Sequence, residues 1–227
     1  MRGFKYLFLI GFCLLTATTL MAQVVKIDSN YTNGHYLERM EFFNAMPHHR
    51  HEIVFLGNSI TEHGEWQELV PGKPVLNRGI GGDNTFGVLA RVGEIAAAHP
   101  DKIFLLIGIN DLFRKLPYEV TIHNYQRIIQ KAKQASPKTK LYIQSILPIN
   151  EDMTKEPYTK GRNVLVPELN RRIKALALEQ GLVYIDLHPL FEDVEGKLKR
   201  ELTIDGIHLK ASAYITWVDY LKSKNYL

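Results

Sequence analysis

The fold is decided by the stretch EIVFLGNSIT, residues 52–61. Residues 52–56 are mostly apolar on both faces, which is typical of a buried strand in a parallel sheet. Gly57 and Asn58 then turn the chain, and Ser59 opens a helical turn. A serine at this point is exposed at the carboxyl edge of the sheet, where open α/β folds bind ligands. Ser59 is therefore either a nucleophile or an ordinary N-cap of the next helix, and this stretch alone leaves both interpretations open.

Runs of the same kind recur along the chain and alternate with helical patterns. Strands are predicted at residues 52–56, 75–76, 103–107, 141–146 and 182–185. Helices are predicted at residues 31–45, 85–98, 118–135, 164–180 and 211–221, the first of them packed against the first strand. Such alternation indicates a parallel sheet that is covered on both faces. The pattern predicts one α/β domain over residues 23–227, a three-layer α/β/α sandwich with about five strands.

Composition excludes several classes of protein. The 227 residues are 45% hydrophobic and 23% charged. These values rule out a disordered chain, a collagenous repeat and a polytopic membrane protein. The formal net charge of +4 comes from interspersed charges without a Lys/Arg block. The sequence therefore predicts no nucleic-acid partner.

Residues 1–22 are predicted to be a secretory signal peptide. Arg2 and Lys5 flank the start of a short apolar run, and Ala22 is the expected residue before the cut. This run is too short for a stable membrane anchor, since a span needs about 20 apolar residues. We therefore expect an exported protein, periplasmic or secreted. Cleavage would leave 205 of the 227 residues and remove Cys13, the one cysteine, which excludes a cysteine nucleophile and a Cys-rich zinc site.

Two polar segments follow the predicted second and third strands. Residues 77–83, NRGIGGD, hold three glycines that can turn the backbone tightly and direct N–H groups at an anion. Asn84 stands where a dinucleotide fingerprint needs glycine, and no Gly-Lys-Ser/Thr follows, so both nucleotide motifs are missing. Residues 108–111, GIND, place Asn110 where its amide could donate to the same anion. A tight turn and an Asx cap are the alternative explanations.

The last polar segment is DGIH, residues 205–208. A carboxylate three residues before a histidine can hold one imidazole nitrogen while the other nitrogen faces a serine. A metal pair or a surface turn would use the same residues, but no other acid–histidine cluster stands at ligand spacing. The cluster of His48, His49 and His51 is interpreted as a solvated loop. The sequence predicts neither a metal nor a cofactor.

In this order, these segments resemble the conserved blocks of the SGNH hydrolases, also called the GDSL family of lipases and esterases. The Gly-Asp-Ser block of that family corresponds to Gly57-Asn58-Ser59, with Asn58 in place of the usual aspartate. The resemblance spans about residues 53–217. Residues 77–83 are most similar to the branch that contains platelet-activating-factor acetylhydrolase subunits and bacterial acyl esterases. A flavodoxin-like sheet is implied.

The resemblance also implies a serine esterase with a triad of Ser59, His208 and Asp205. The oxyanion hole would consist of the Ser59 and Gly82 N–H groups and the Asn110 side chain, with Gly81 as the alternative to Gly82. Because Asn58 is not a triad member, its substitution leaves this assignment intact. Four further residues are candidates for substrate binding: His63, Trp66, Phe113 and Tyr158. The alternatives are buried packing for Trp66 and Phe113 and a solvated loop for Tyr158. The long loop at residues 148–162 is expected to be functional or mobile.

The expected substrate is a small acylated molecule or a glycan. Removal of short acyl groups, such as O-acetyl groups on carbohydrates, fits an exported esterase of this resemblance. A lysophospholipase or thioesterase with longer acyl chains is the alternative. A non-catalytic carbohydrate-binding module would not require the serine, histidine and carboxylate set, and a nucleotide binder is disfavoured by the missing motifs. The sequence predicts no oligomeric state.

Overall fold

A computed structural model describes residues 27–227, so the predicted signal peptide lies outside the described residues. The strands of its sheet are β1 (Ile53–Gly57), β2 (Val75–Gly79), β3 (Lys102–Leu106), β4 (Lys140–Gln144) and β5 (Val183–Ile185). All neighbouring pairs are parallel, in the order β2-β1-β3-β4-β5. This is the doubly wound order of flavodoxin-like folds, which bind ligands at the carboxyl edge where the winding reverses. The predicted fold class is confirmed.

Helices form the two outer layers. In chain order they are α1 (Gly34–Ala45), α2 (Ser59–Glu62), α3 (Trp66–Leu69), α4 (Thr85–Ala97), α5 (Ile109–Phe113), α6 (Tyr118–Ala135), α7 (Val166–Glu179), α8 (His188–Phe191) and α9 (Ala211–Ser223). Helix α6 contacts α4 and α7 in one layer, and α9 contacts α3 and α8 in the other. Within the described part of the chain, no helix is both long and apolar enough to cross a membrane.

A ladder of aromatic rings crosses the sheet beneath α3 and α9. Phe55, Phe104 and Tyr142 are register partners on β1, β3 and β4. Their successive ring centroids lie 5.1 and 4.7 Å apart. Trp66 stacks on Phe55 with the centroids 3.8 Å apart, and Trp217 meets Trp66 edge-on at 5.0 Å. This packing fixes β1 in the core, and with it the point at which the chain leaves the sheet toward Ser59.

Helix α1 packs differently from the prediction. Its two buried residues, Tyr36 and Phe43, cluster with Ile80 beyond the end of β2. The Tyr36 hydroxyl also donates to the Gly87 carbonyl at 3.2 Å. The expectation that this helix packs on the first strand is therefore wrong, because two buried side chains are too few to cover a strand. Helix α1 instead covers the loop that follows β2.

The long loop at residues 148–162 is built around one carboxylate. Glu151 accepts hydrogen bonds from the N–H groups of Gly161, Arg162 and Asn163 at 2.7–2.8 Å. The loop also contains a single 3-10 turn, Pro157–Thr159. A periodicity search cannot detect this structure, because it depends on hydrogen bonds from a side chain to backbone groups.

Arg91 ties together the carboxyl ends of two strands. Its guanidinium is 1% exposed and forms an ion pair with Asp83 at 2.8 Å. It also donates to the carbonyl of Gly57, at the end of β1, and to that of Arg78, in β2, at 2.9 and 2.7 Å. One buried side chain therefore satisfies a buried carboxylate and two strand carbonyls.

We expect Arg91→Met to destabilise the protein strongly. Loss of one partner from a buried ion pair costs roughly 3–5 kcal/mol, because the other charge remains buried without compensation. For a domain of this size, that loss lowers Tm by on the order of 10 °C. Thermal unfolding of Arg91→Met, of the exposed control Arg127→Met and of the double variant Asp83→Asn/Arg91→Met tests this. The double variant should recover part of the loss, and equal Tm values for the two single variants would contradict the prediction.

Candidate active site

Asn58, and not Ser59, caps helix α2. The Asn58 Oδ1 atom accepts a hydrogen bond from the Ile60 N–H at 3.0 Å, and Ser59 is the first residue of the helix. This removes the N-cap interpretation of Ser59. Gly57 permits the turn, since a Cβ atom there would lie 2.3 Å from the Leu106 carbonyl oxygen. The tight end of β1 thus leaves the Ser59 hydroxyl available to a partner from elsewhere in the chain.

That partner is His208, which is in turn held by Asp205. The Ser59 Oγ atom lies 2.9 Å from His208 Nε2, and His208 Nδ1 lies 2.6 Å from Asp205 Oδ2. The His208 side chain is 26% exposed and that of Asp205 is 46% exposed, so the group lies at an open edge. The structure brings the three predicted triad residues together in the order that activates a serine hydroxyl. The histidine contacts the serine, and the carboxylate contacts the other nitrogen of the histidine.

Local hydrogen bonds keep Asp205 ionised. Partial burial alone would raise the pKa of Asp205. Hydrogen bonds from the His208 ring and from the N–H groups of His208 and Ile207 outweigh burial and hold this pKa below its ordinary value. The two N–H groups donate to Asp205 Oδ1 at 2.8 and 2.9 Å. An ionised Asp205 favours a proton on His208 Nδ1, which leaves Nε2 to accept from Ser59.

The loop at residues 148–162 supports the segment that carries His208. Gly206 has a φ of +91°, and a Cβ atom on it would lie 2.3 Å from the Asn150 carbonyl oxygen. The Asn150 N–H donates to the Gly206 carbonyl at 2.8 Å, and Asn150 Nδ2 donates to the Leu198 carbonyl at 2.9 Å. Glycine is required at position 206 both for its left-handed backbone and for this close approach.

Residues 79–83, which we call the oxyanion loop after the role predicted for Gly82, are joined by a hydrogen bond to the helix that Ser59 begins. The Gly81 N–H is engaged, since it donates to Glu62 Oε2 at 2.6 Å. Gly82 has a φ of +75°. Among residues 27–227, the N–H groups of Gly82 and Ser59 have no hydrogen-bond acceptor. Of the two glycines considered from the sequence, Gly82 is therefore the one whose N–H remains available to a ligand.

Asn110 is tied to the oxyanion loop by its side chain. Asn110 Nδ2 donates to the Asp83 carbonyl at 2.7 Å, which orients the amide and leaves its second N–H to donate elsewhere. The neighbouring Asp111 is buried and accepts from the Thr85 N–H at 3.1 Å and from the Thr85 hydroxyl. Burial raises the pKa of Asp111 to about 6, although the hydrogen bonds from Thr85 oppose the rise. Asp111 thereby anchors α5, and Asn110 with it, to the start of α4.

Of the predicted substrate residues, His63 and Tyr158 are exposed and Phe113 is half-buried. The His63 ring centroid is 5.0 Å from that of His208. Burial, and then the charge of His208, lower the pKa of His63. The rings of Phe113 and Tyr158 lie 5.4 Å apart. Burial is the main cause that raises the pKa of Tyr158, and nearby carboxylates, Asp205 among them, contribute. A role for these residues in substrate binding stays a prediction.

Of the two interpretations of Trp66, the structure supports buried packing and contradicts a place in the substrate pocket. Trp66 is 1% exposed, stacks on Phe55, and donates its Nε1–H to the Thr61 carbonyl at 2.8 Å. In the sequence, a tryptophan seven residues after Ser59 is compatible with both a pocket wall and buried packing. The short helix α3 instead directs this ring into the core, where its apolar surface is buried and its Nε1–H has an acceptor.

Two of the histidines before β1 each contact one carboxylate. His48 Nδ1 lies 3.5 Å from Glu52, and His51 Nδ1 lies 3.0 Å from Asp101. The sequence did not reveal the second contact, because it depends on the approach of β3 to β1. Within residues 27–227, no group of three or more His, Cys, Asp or Glu side chains is arranged to hold a metal ion.

Large cavities lie away from Ser59. A cavity of about 670 Å³ is lined by residues 99–102 and 136–140, at the amino edge of the sheet. Of this and four other surface cavities formed by the described residues, none is lined by Ser59 or His208.

Arg91 and Glu62 were missed by the sequence analysis. Arg91 stands between apolar residues on the buried face of a predicted helix. A cation at such a position needs a buried partner, and this pattern in the sequence could have indicated its role. Glu62 stands three residues after Ser59 and reads as an ordinary acidic residue in the first turn of a helix. Only the folded loop shows that its carboxylate binds Gly81.

The chain is similar to known proteins in sequence and in fold. The model of the GDSL-like lipase/acylhydrolase family matches residues 55–214. The platelet-activating factor acetylhydrolase IB subunit alpha1 of Homo sapiens is 27% identical over 169 residues, 72% of this chain and 70% of that protein. A Streptococcus pneumoniae structure described as a platelet activating factor has 29% identity and a TM-score of 0.72, covering 83% of this chain and 90% of its own. The structure of the acetyl xylan esterase AlAXEase has 22% identity and a TM-score of 0.64, covers 76% of this chain and 98% of its own, and shares the fold.

We expect Gly206→Ala to impair the site through its geometry. The new Cβ would clash with the Asn150 carbonyl and strain a left-handed backbone, which moves His208 away from Ser59. A displacement of about 1 Å costs on the order of 100-fold in rate. We therefore expect a loss of this size in the turnover of nitrophenyl acetate. Gly196→Ala is the matched control, since Gly196 has a φ of +73° but its Cβ would meet no atom within 4 Å. Equal turnover by the two variants would refute the supporting role of the loop at residues 148–162.

Proposed function

The chain belongs to the GDSL-like lipase/acylhydrolase family, and from this premise we propose that it is a serine esterase for short acyl esters. The observation that carries the proposal is the line of hydrogen bonds from Ser59 through His208 to Asp205. Two backbone N–H groups, those of Ser59 itself and of Gly82 in the oxyanion loop, have no acceptor among residues 27–227. Such a group combines an activated nucleophile with donors for a developing negative charge.

In the proposed reaction, Ser59 Oγ attacks the ester carbonyl carbon while His208 Nε2 takes the hydroxyl proton. Asp205 stabilises the imidazolium that forms. The carbonyl oxygen becomes an oxyanion, which accepts hydrogen bonds from the Ser59 and Gly82 N–H groups and from Asn110. The tetrahedral adduct then collapses, and His208 gives its proton to the leaving alcohol. Water, activated by His208, hydrolyses the acyl-serine in the same way and restores the free Ser59.

We assign short acyl groups, and O-acetyl groups on carbohydrates in particular, as the substrate class. The exposure of the triad supports this, because the side chains of His208 and Asp205 are 26% and 46% exposed, whereas a long acyl chain needs an apolar trench to cover it. An acetyl group that protrudes from a sugar can reach a nucleophile at an open edge. The related human protein is named as an acetylhydrolase, which agrees with a short acyl group.

The same proposal includes export of the protein. It rests on the basic start, the short apolar run and the Ala22 exit of residues 1–22. A cysteine-free mature chain suits an oxidising compartment, where a free thiol would be a liability. N-terminal sequencing of the mature protein from the periplasm or the medium tests this part, and a chain that retains residues 1–22 would contradict it.

Asn110→Ala should cripple turnover and leave the fold intact. Loss of one oxyanion donor costs on the order of 100- to 1000-fold in kcat, because the donor acts only as charge develops. Asn110→Asp keeps the shape but replaces the donor with a carboxylate, and should be at least as slow. Turnover of nitrophenyl acetate and the circular dichroism spectrum of both variants check this. Near-normal turnover by Asn110→Ala would remove Asn110 from the mechanism.

The proposed function is tested with nitrophenyl esters from acetate to decanoate, run beside acetylated polysaccharides. Wild type should prefer acetate and release acetate from the glycan. Ser59→Ala should lose both activities, since its missing hydroxyl is the nucleophile. Equal rates for the two proteins would overturn the serine mechanism. A preference for long chains would instead support a lysophospholipase or thioesterase, and inactivity of both proteins would favour a binding module.

A further inference from the structure

We infer that Glu62 is a positioning residue, which holds the oxyanion loop at the correct distance from Ser59. The inference rests on the proposed function, because it concerns the donors of the same site. Glu62 is the last residue of α2, the short helix that Ser59 begins. Its carboxylate is 14% exposed, and its Oε2 atom accepts from the Gly81 N–H at 2.6 Å. One side chain therefore links the helix of the nucleophile to the loop that carries Gly82.

The backbone reinforces this link. A Cβ atom on Gly79 would lie 2.1 Å from the Glu62 backbone nitrogen, so the end of β2 packs directly against α2. The Glu62 carbonyl accepts from Asn77 Nδ2 at 2.8 Å. Glu62 thus contacts the oxyanion loop and its strand through both backbone and side chain. Only the side-chain bond reaches as far as Gly81, which directly precedes the donor Gly82.

The bond to Glu62 also selects which glycine serves as the donor. The Gly81 N–H points at the carboxylate, and Gly82 then adopts a φ of +75°. Its own N–H has no acceptor among residues 27–227, like that of Ser59. Because one donor shares a helix with Glu62 and the other follows Gly81, the carboxylate fixes the distance between the two donors. Such preorganisation is what makes an oxyanion hole effective.

A carboxylate so close to a developing oxyanion would oppose catalysis unless its charge were balanced. Helix α1 supplies the balance. Arg39 Nε lies 3.1 Å from Glu62 Oε1, and His35 Nε2 lies 3.0 Å from the same atom. The Arg39 guanidinium is held in turn over the Phe43 ring, 4.8 Å from its centroid. The carboxylate can therefore accept from Gly81 while Arg39 offsets its field. This accounts for the position of α1 beyond β2 rather than on β1.

A purely structural ion pair predicts a different outcome from a positioning residue. An ion pair that serves stability alone would change Tm, and the fraction of folded enzyme, but not the turnover of each folded molecule. A positioning residue changes kcat much more than KM, because the oxyanion forms only after the substrate binds. The two roles also require different chemical groups at position 62. The hydrogen bond from Gly81 needs an oxygen acceptor, whereas the ion pair with Arg39 needs a negative charge.

The experiment compares Glu62→Ala, Glu62→Gln and Glu62→Asp with the control Glu65→Gln, an exposed glutamate whose side chain makes no capping hydrogen bond. Active sites are titrated with a fluorophosphonate, so that kcat for nitrophenyl acetate is given per reactive serine. We expect kcat to fall about 10- to 100-fold in Glu62→Ala, less than for loss of a donor, with KM within about threefold. The inhibition constant of a boronic acid that forms a tetrahedral serine adduct should rise by a similar factor.

The conservative variants separate the two roles. Glu62→Gln keeps an oxygen for Gly81 and should retain kcat within about threefold, although its Tm falls because Arg39 loses its partner. Glu62→Asp keeps the charge but is one methylene shorter, so its kcat should fall even where Tm holds. Glu62→Asp also tests the inference if Glu62→Ala does not fold. Wild-type kcat per reactive serine in both Glu62→Asp and Glu62→Ala would overturn it.

The results for the Glu62 variants are interpreted together with the activity of Ser59→Ala. If Ser59→Ala retains activity, the proposed function fails whatever the Glu62 variants show. If Ser59→Ala is inactive and the Glu62 variants match Glu65→Gln, the esterase assignment stands and the positioning role of Glu62 is refuted.

Discussion

The buried ion pair between Arg91 and Asp83 is the interaction on which the carboxyl edge of the sheet depends. A carboxylate and two strand carbonyls are removed from water there, and the Arg91 guanidinium donates to all of them. Because Asp83 is fixed in this way, its own carbonyl is positioned to accept from Asn110. The ends of β1 and β2 and the segment after β3 are thereby held together by a single side chain and the carboxylate it neutralises.

The site is assembled from opposite ends of the chain. Ser59 and His208 are 149 residues apart in the sequence and 2.9 Å apart in the fold. The serine side rests on the aromatic ladder of the sheet, which is dry and closely packed. The histidine side rests on hydrogen bonds between Gly206 and Asn150 and on Ile207 and Leu209, which flank His208 and are buried in the core. Core packing thus supports both Ser59 and His208, and polar loop contacts add to the support of His208.

The sequence predicted those features that a local pattern encodes. Buried parallel strands are continuous apolar runs, so all the strands were found, although β2 was predicted too short because Asn77 and Arg78 are polar. The sequence left the position of Trp66 open and placed helix α1 wrongly, because neither is encoded by a local pattern. Whether an aromatic ring faces the core or a pocket, and which surface a helix covers, depend on neighbours distant in the chain. Periodicity within the segment does not contain that information.

The sequence by itself determined the fold class and a short set of polar residues at the strand ends, because strand period, glycine and chemically special side chains are local properties. The tertiary structure alone decided that Asn58 caps the helix, that Gly81 is engaged and Gly82 is not, and that Glu62 and Arg91 belong to the site. These assignments are settled by hydrogen bonds between segments. The acceptor of each donor is set by the packing of the strands and loops, and no spacing along the chain specifies it.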